Sequence, residues 1–335
     1  MVRVNVTYDT VPFISMVKNA IIPDIFAGRF EPGKVIDSTL STLSEKLDAW
    51  LADYSEDERQ IFLKLFSKYI YYSEPKMLES WQSIADSLGE LISSKQLEWS
   101  EVLFVSTESS KGSKSGAANV QADFMKFAQE FIGTDQFVTS IEEYKKFKVV
   151  GSKNISAKKL IVFLDDVAGT GGALEETFAK FFARNQEYLE QNSNVEFLWA
   201  CPLYSRSGQA RLAECSIGST RIEQVDAGAL LLQPIDAPAI ISPEEIAALS
   251  DIEKKVAPNP EMIMGYKESK LIVSTYYNTP NNTLSVFWHD TEQNKSIFRR
   301  KNHIPSLDDL KQKKQTQQDT AYTVAIVKKS AEDML

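Results

Sequence analysis

The chain has 335 residues, enough for one large domain with an addition or for two modest ones. Hydrophobic residues make up 43% and charged residues 25%, the balance of a folded chain, which excludes wholesale disorder. A formal charge of −9 excludes a global pull toward nucleic acid or membrane, and two cysteines with two histidines, in no C-x-x-C pattern, exclude a zinc cage or a disulfide framework.

The first residues lack the apolar stretch of a signal peptide, and no run approaches the ~18 apolar residues of a membrane span, so a cytoplasmic protein is expected. Pro12, Pro23, Pro32 and Gly33 break residues 1–34 into short irregular pieces. From Asp37 the pattern turns helical, with Leu40, Leu43, Leu47, Trp50, Leu51 and Tyr54 on one face. Ser55 and Glu58 form a capping box for a second helix, whose inner face reads Ile61, Phe62, Leu65, Phe66, Tyr69 and Ile70. A third helix follows Ser73 and turns Leu78, Trp81, Ile84, Leu88, Leu91 and Ile92 inward. Residues 1–97 are therefore expected to form a helical layer.

Val102–Val105 read as the first core strand. A polar loop from Ser106 to Gly116 follows, carrying Ser109, Ser110, Lys111, Gly112 and Lys114, and then a helix at about 118–131. Phe137–Ser140 and Lys148–Val150 are either a strand pair or a flap, with Lys145, Lys146 and Lys148 as cations within reach of a phosphate. Leu160 to Leu164 is a run of five apolar residues, the pattern of a strand buried on both faces. Asp165 and Asp166 end it. Ala168, Gly169, Thr170, Gly171, Gly172 and Ala173 come next, and Leu174, Phe178, Phe181 and Phe182 then mark one face of a helix.

Strand, acidic pair, glycine-rich turn and helix in that order describe a ligand site. Glycines let a ligand approach the backbone closely, and a helix N-terminus offers unpaired N–H groups and a positive dipole end, so the turn suits a phosphate, with the Thr170 hydroxyl as an extra donor. Carboxylates repel that phosphate. Asp165 and Asp166 suit instead the vicinal hydroxyls of a sugar, or a Mg²⁺ faced indirectly, and the two halves together describe a ribose 5-phosphate. A dinucleotide-binding G-x-G-x-x-G fails because Leu174 stands at the third glycine, and a P-loop NTPase fails because no G-x-x-x-x-G-K-[ST] occurs in the chain. An ordinary strand-to-helix turn is the remaining alternative.

The stretch 160–173 resembles the signature of the type I phosphoribosyltransferases. That resemblance implies that Asp165 and Asp166 hold the ribose hydroxyls, that Ala168, Gly169, Thr170, Gly171 and Gly172 hold the 5-phosphate, and that the loop with Ser109, Ser110, Lys111 and Gly112 holds pyrophosphate. Lys111 and Lys114, with Mg²⁺ brought by the ligand's pyrophosphate and bound by no protein group directly, would take up the leaving charge; with the acidic pair they form the expected catalytic set. The family often has Thr or Ser at the position of Ala173 and a second Thr at that of Gly169.

Further along, Val195–Cys201 and Arg221–Val225 read as strands, Cys201 as a small buried hydrophobe, and Tyr204, Arg206 and Arg211 as residues on the ligand side. Ser242 and Pro243 start a helix. Residues 98–257 thus alternate strands and helices, which predicts a doubly wound, mostly parallel α/β sheet with ligands at the carboxyl ends of its strands. Residues 258–335 are expected to form a β-rich cap: Leu271–Tyr277 and Leu284–His289 as a hairpin, a basic step at Arg299–Lys301, a polar linker at Lys311–Gln318 and a strand-like piece at Tyr322–Val327.

The run from Asn278 through Asn282 into Trp288 resembles the phosphoribosyltransferase-like proteins of bacterial conflict systems, in anti-phage loci and beside retrons. This implies a cap over the ribose site in which Tyr276, Tyr277, Asn278, Asn282 and Trp288 meet a base or a partner. Two functions stay open. One is an effector that makes or breaks a bond at C1′ of a phosphoribosyl ligand, PRPP or a nucleotide. The other is a catalytically silent nucleotide-sensing or partner-binding subunit of a defence complex. A homodimer is compatible with either.

Overall fold

The computed structural model describes residues 47–107, 114–138 and 158–300, apart from positions 48, 67, 73, 134–135, 192–193, 218–219, 237–239, 277, 293 and 299. The N-terminal irregular stretch, the Lys145–Lys148 segment, the 311–318 linker and the Tyr322–Val327 strand expected from the sequence lie outside them.

Helix α1 (Glu56–Phe66) forms as its capping box predicts, with Ser55 N–H donating to Glu58 Oε2 at 2.8 Å. It stops four residues before Ile70, which the periodicity had included. Tyr69 to Tyr72 is a β-branched and aromatic run, and strand β1 (Ile70–Tyr72) takes it out of the helical layer. Helix α2 (Glu74–Ser94) then buries Met77, Trp81, Ile84, Leu88 and Ile92.

The main sheet is built from β2 (Val102–Ser106), β3 (Phe137–Val138), β4 (Leu160–Leu164), β6 (Glu196–Ala200), β8 (Ser216–Ile217) and β9 (Thr220–Gln224); β5 is the short strand Val167–Ala168 and β7 is Leu203–Ser205. The order across it is β3-β2-β4-β6-β9-β8, parallel throughout except for the β8–β9 edge. Strand order reverses between β2 and β4, and open parallel sheets hold their ligands at the carboxyl ends of strands at such a reversal.

Val102, Phe104, Leu160, Val162 and Leu164 pack on one face against Trp81, Ile84 and Leu88 of α2 and Val120 and Phe124 of α3 (Lys114–Ala128). Leu103, Val105, Ile161, Phe163 and Trp199 pack on the other against Leu174, Phe178 and Phe181 of α4 (Gly172–Gln191) and Leu212 of α5 (Arg206–Ala213). Helices on both faces explain the unbroken apolar runs of β2 and β4. Helix α3 begins four residues earlier than expected, so Lys114, Ser115 and Gly116 belong to a helix rather than to the polar loop; Ala117 and Ala118 favour that extension.

Past the acidic pair the main sheet breaks and resumes as a smaller parallel sheet, with β10 (Leu230–Leu232) beside β7 and β7 beside β5. Helix α6 (Pro243–Val256) has the predicted start, with Ser242 and Glu245 capping each other. The chain then turns irregular. Strand β11 (Val273–Thr275) pairs in parallel with β1, Ile70 opposite Val273, not with a following hairpin partner.

The expected second strand of that hairpin is a 3₁₀ turn, Ser285–Phe287. Its cause is Glu253 of α6. That carboxylate is fully buried and accepts the backbone N–H groups of Met264 (3.1 Å), Ser285 (3.0 Å) and Val286 (2.7 Å), which folds the segment around one point instead of along a ladder. Val286 and Phe287 then join Trp50, Phe62, Leu65 and Leu249 in a third apolar cluster, tying α1 and α6 to the C-terminal segment. Among the described residues no helix is long and apolar enough to cross a membrane.

Candidate functional site

Strand β4 delivers Asp165 and Asp166 to the carboxyl edge of the sheet at the point where strand order reverses. Register fixes what lies beside them. Ser106 is opposite Leu164, and Thr107 N–H donates to Leu164 O at 2.9 Å, so the chain leaving β2 starts next to the acidic pair. On the other side Asp165 N–H donates to Ala200 O at 3.2 Å.

The two carboxylates are half-buried and adjacent, and Asp166 N–H donates to Asp165 Oδ1 at 3.0 Å. Burial pushes the Asp165 carboxyl well above its ordinary value, the charge of Asp166 pushes it further, and a hydrogen bond from the Thr107 side chain opposes both. Burial also raises Asp166, against hydrogen bonds and the nearby Arg300 cation. A pair so placed resists holding two full charges. Hydroxyl donors from a ligand, or a cation, would relieve it. Burial and the same carboxylates keep the Cys201 thiol protonated, so this buried cysteine is a packing residue and no nucleophile.

After β5 the chain makes the glycine turn and enters α4. Gly171 sits at φ +71°, a left-handed conformation in which a side chain is strained. A Cβ on Gly169 would stand 2.1 Å from Cγ of Asn282, so a side chain there would have to displace the Asn282 amide. The turn rests on α5, where Ser205 Oγ donates to Gly169 O and accepts from Gly208 N–H at 3.0 Å. The first N–H groups of α4, at Gly172, Ala173 and Leu174, have no partner within the helix, and its dipole adds positive potential there. Thr170 is half-buried beside them.

The structure therefore brings Asp165, Asp166, Ala168, Gly169, Thr170, Gly171 and Gly172 together with the start of the Ser/Lys loop on one rim. Ser109, Ser110, Lys111 and Gly112 lie outside the described residues, as does Tyr277; Lys114 is the first residue of α3. Arg211 pairs with Glu175 on α4, Nε to Oε2 at 2.7 Å, close to Gly172, while Tyr204 donates to Asp226.

The C-terminal segment closes over this rim, and three of the residues expected to meet a base or a partner, Tyr276, Asn278 and Trp288, make hydrogen bonds within the chain. Tyr276 donates to Asp123 of α3, and Asn278 turns back on Thr279 N–H at 3.0 Å. Trp288 is buried, donates through Nε1 to Thr283 O at 2.9 Å, and carries the Arg300 guanidinium 5.5 Å above its ring. Burial lowers Arg300 to about 10, still a full cation at neutral pH.

Sequence reasoning missed Thr107 and Arg300. Thr107 had a usable signal, because it directly follows a strand at the reversal point. Arg300 had none, since only the folded chain carries it back to Asp166. Among the described residues no cluster of three or more His, Cys, Asp or Glu side chains is placed to hold a metal ion.

Comparison with curated proteins and with solved structures gives no significant match. A family model, PRTase-CE, matches residues 47–300, which spans every element of the sheet, the acidic pair, the glycine turn and the segment that covers them. The chain belongs to the PRTase-CE family and is a phosphoribosyltransferase-like protein.

Proposed function

We propose that the protein binds a ribose 5-phosphate ligand, PRPP or a nucleotide, and acts at C1′ by glycosyl transfer or glycosidic cleavage, as an effector in a bacterial defence system. The observation that carries the ligand reading is the placement of the Asp165–Asp166 pair and the Gly169–Gly172 turn at the carboxyl edge of the sheet, where the strand order reverses; the defence role rests on the resemblance of the 278–288 run alone.

In this reading the turn and the start of α4 grip the 5-phosphate, and the carboxylates accept hydrogen bonds from the 2′ and 3′ hydroxyls. The bond from C1′ to the leaving group breaks with its electron pair on pyrophosphate or base, and the acceptor's lone pair then closes on C1′ as its proton passes to solvent. Catalysis is mainly positioning and stabilisation of the departing charge. Lys111 and Lys114, with Ser109, Ser110 and Gly112, are proposed to receive that charge. The donor set suits Mg²⁺ only in company with ligand phosphates, because among the described residues it offers two carboxylates and no third His, Cys, Asp or Glu beside them. Bound in that way, Mg²⁺ would neutralise pyrophosphate.

The domains proposed are the helical layer to residue 97, the α/β core to 257 and the cap beyond, in a cytoplasmic protein that acts alone, as a homodimer or with defence-complex partners. The second reading, a silent sensor of nucleotides, draws on Ala173 and Gly169, which supply no hydroxyl to the phosphate turn. Calorimetric titration with ribose 5-phosphate and PRPP tests the site: binding by the wild type and loss in Asp165→Asn/Asp166→Asn is expected, and equal binding by both rejects it. Nucleotide pools measured by mass spectrometry after expression of the two chains then separate turnover from sensing.

A further inference from the structure

Two side chains of the covering segment carry buried hydrogen-bond donors with no acceptor among the described residues: Asn282 Nδ2 and Arg300 Nε. Such donors are rare in folded proteins, because an unmet buried N–H loses its water without compensation. One stands over the glycine turn and the other near the acidic pair that precedes it. The Asn282 amide is only 7% exposed and lies directly against Gly169 of the phosphate turn. Arg300 lies within electrostatic reach of Asp166, three residues upstream, and its guanidinium is fixed by Trp288 below and by Nη1 donating to Thr279 O. The Asn282 amide fills the space that a side chain at Gly169 would take, so the amide is seated on the turn.

We infer that Asn282 and Arg300 form the second wall of an anion site, in which a phosphoryl group at the N-terminus of α4, beside the Asn282–Gly169 contact, is closed in by these two donors. This deepens the phosphoribosyl reading: the covering segment supplies affinity at the phosphate end of the ligand, and the selection of what is attached to C1′ falls elsewhere. The turn and the N-terminus of α4 offer backbone donors from one side, while an amide and a guanidinium complete the shell from the other, with the cation also offsetting the negative field of Asp165 and Asp166. It also gives a physical reason for a phosphate turn poor in hydroxyls, since Asn282 and Arg300 stand in for the donors that Gly169 and Ala173 lack.

The test is titration of the full chain in phosphate-free buffer with inorganic phosphate, followed by phosphorus resonance line width, and then with ribose 5-phosphate. Asn282→Asp and Arg300→Gln are each expected to weaken phosphate binding about tenfold or more, the loss typical of one hydrogen bond to a charged group. Arg300→Gln keeps a donor for Thr279 O and decides alone should Asn282→Asp melt. Phosphate binding that survives Arg300→Gln and any folded Asn282→Asp, or its absence in the wild type, overturns the inference. Loss of phosphate binding in the variants, with ribose 5-phosphate no tighter than phosphate in the wild type, supports the clamp and removes the ribose reading.

Discussion

The two walls of the site are held in opposite ways. The sheet wall rests on apolar repetition: β2 and β4 are buried at every position, and Phe163 sits 4.6 Å from Phe178 and 5.4 Å from Phe181, ring centroid to centroid. The covering wall rests on single buried polar pins. Glu253 gathers three backbone N–H groups, and Asn294 accepts from Trp50 Nε1 at 2.7 Å while donating to Val286 O and His289 O. An apolar wall spreads its stability over many contacts. A pinned wall concentrates it, so it can be loosened at one residue while the sheet stays folded.

The largest effect is expected in the sheet. Phe163→Ala should destabilise the chain by about 3–5 kcal/mol, the usual loss for a fully buried aromatic, and the transition should stay single in near- and far-ultraviolet circular dichroism. A local loss confined to the covering segment would break the comparison.

Next comes Glu253→Ala, which strands three buried N–H groups but also removes an acid that is itself costly to bury, for a net loss expected at about 2 kcal/mol. Hydrogen exchange should quicken at Met264, Ser285 and Val286 before it does in β4. The same carboxyl sharpens the contrast through pH. Burial outweighs its hydrogen bonds and raises it from 4.5 to about 7, so between those values the folded chain holds a proton that the unfolded chain has released. Stability from this group is full below pH 4.5 and falls as pH rises toward 7, by up to about 3 kcal/mol. The raised Asp165 and Asp166 act in the same direction. Melting curves from pH 5 to 8 should therefore decline more steeply in the wild type than in Glu253→Gln; parallel curves would count against a neutral buried Glu253.

The same difference explains what could be read in the sequence. Leu160–Leu164 predicts its own strand, because a residue buried on both faces must be apolar whatever its neighbours are, and the acidic pair and glycines follow it in register. Helices α1, α2 and α6 were marked by capping residues and periodicity, which act within a few residues. The covering segment reads as a hairpin because Leu284–His289 is a short run rich in apolar and aromatic residues, the composition of a strand. What bends it is a carboxylate on α6, distant in sequence, and no local pattern carries that contact. Arg300 is the same case within the site: its sequence context is a short basic step, and its partners Asp166 and Trp288 are set by the fold.

The smallest effect is expected at the ion pair between Arg211 and Glu175, on the sheet side of the glycine turn. Both side chains are more than a third exposed, and pairs of that kind stabilise by no more than about 1 kcal/mol, so Glu175→Gln should leave the melting temperature almost unchanged. Its consequence for binding should be larger than that for folding. Glu175 lies in the first turn of α4, where a carboxylate opposes an incoming phosphate, and it occupies an arginine whose Nη1 is 3.7 Å from where a Gly172 Cβ would stand. Removing the charge frees Arg211 and lifts that opposition, so inorganic phosphate should bind roughly two- to threefold more tightly at low ionic strength, with the gain fading as salt is added. An affinity that stays flat while stability falls would reverse the assignment, making the pair a structural tie between α4 and α5.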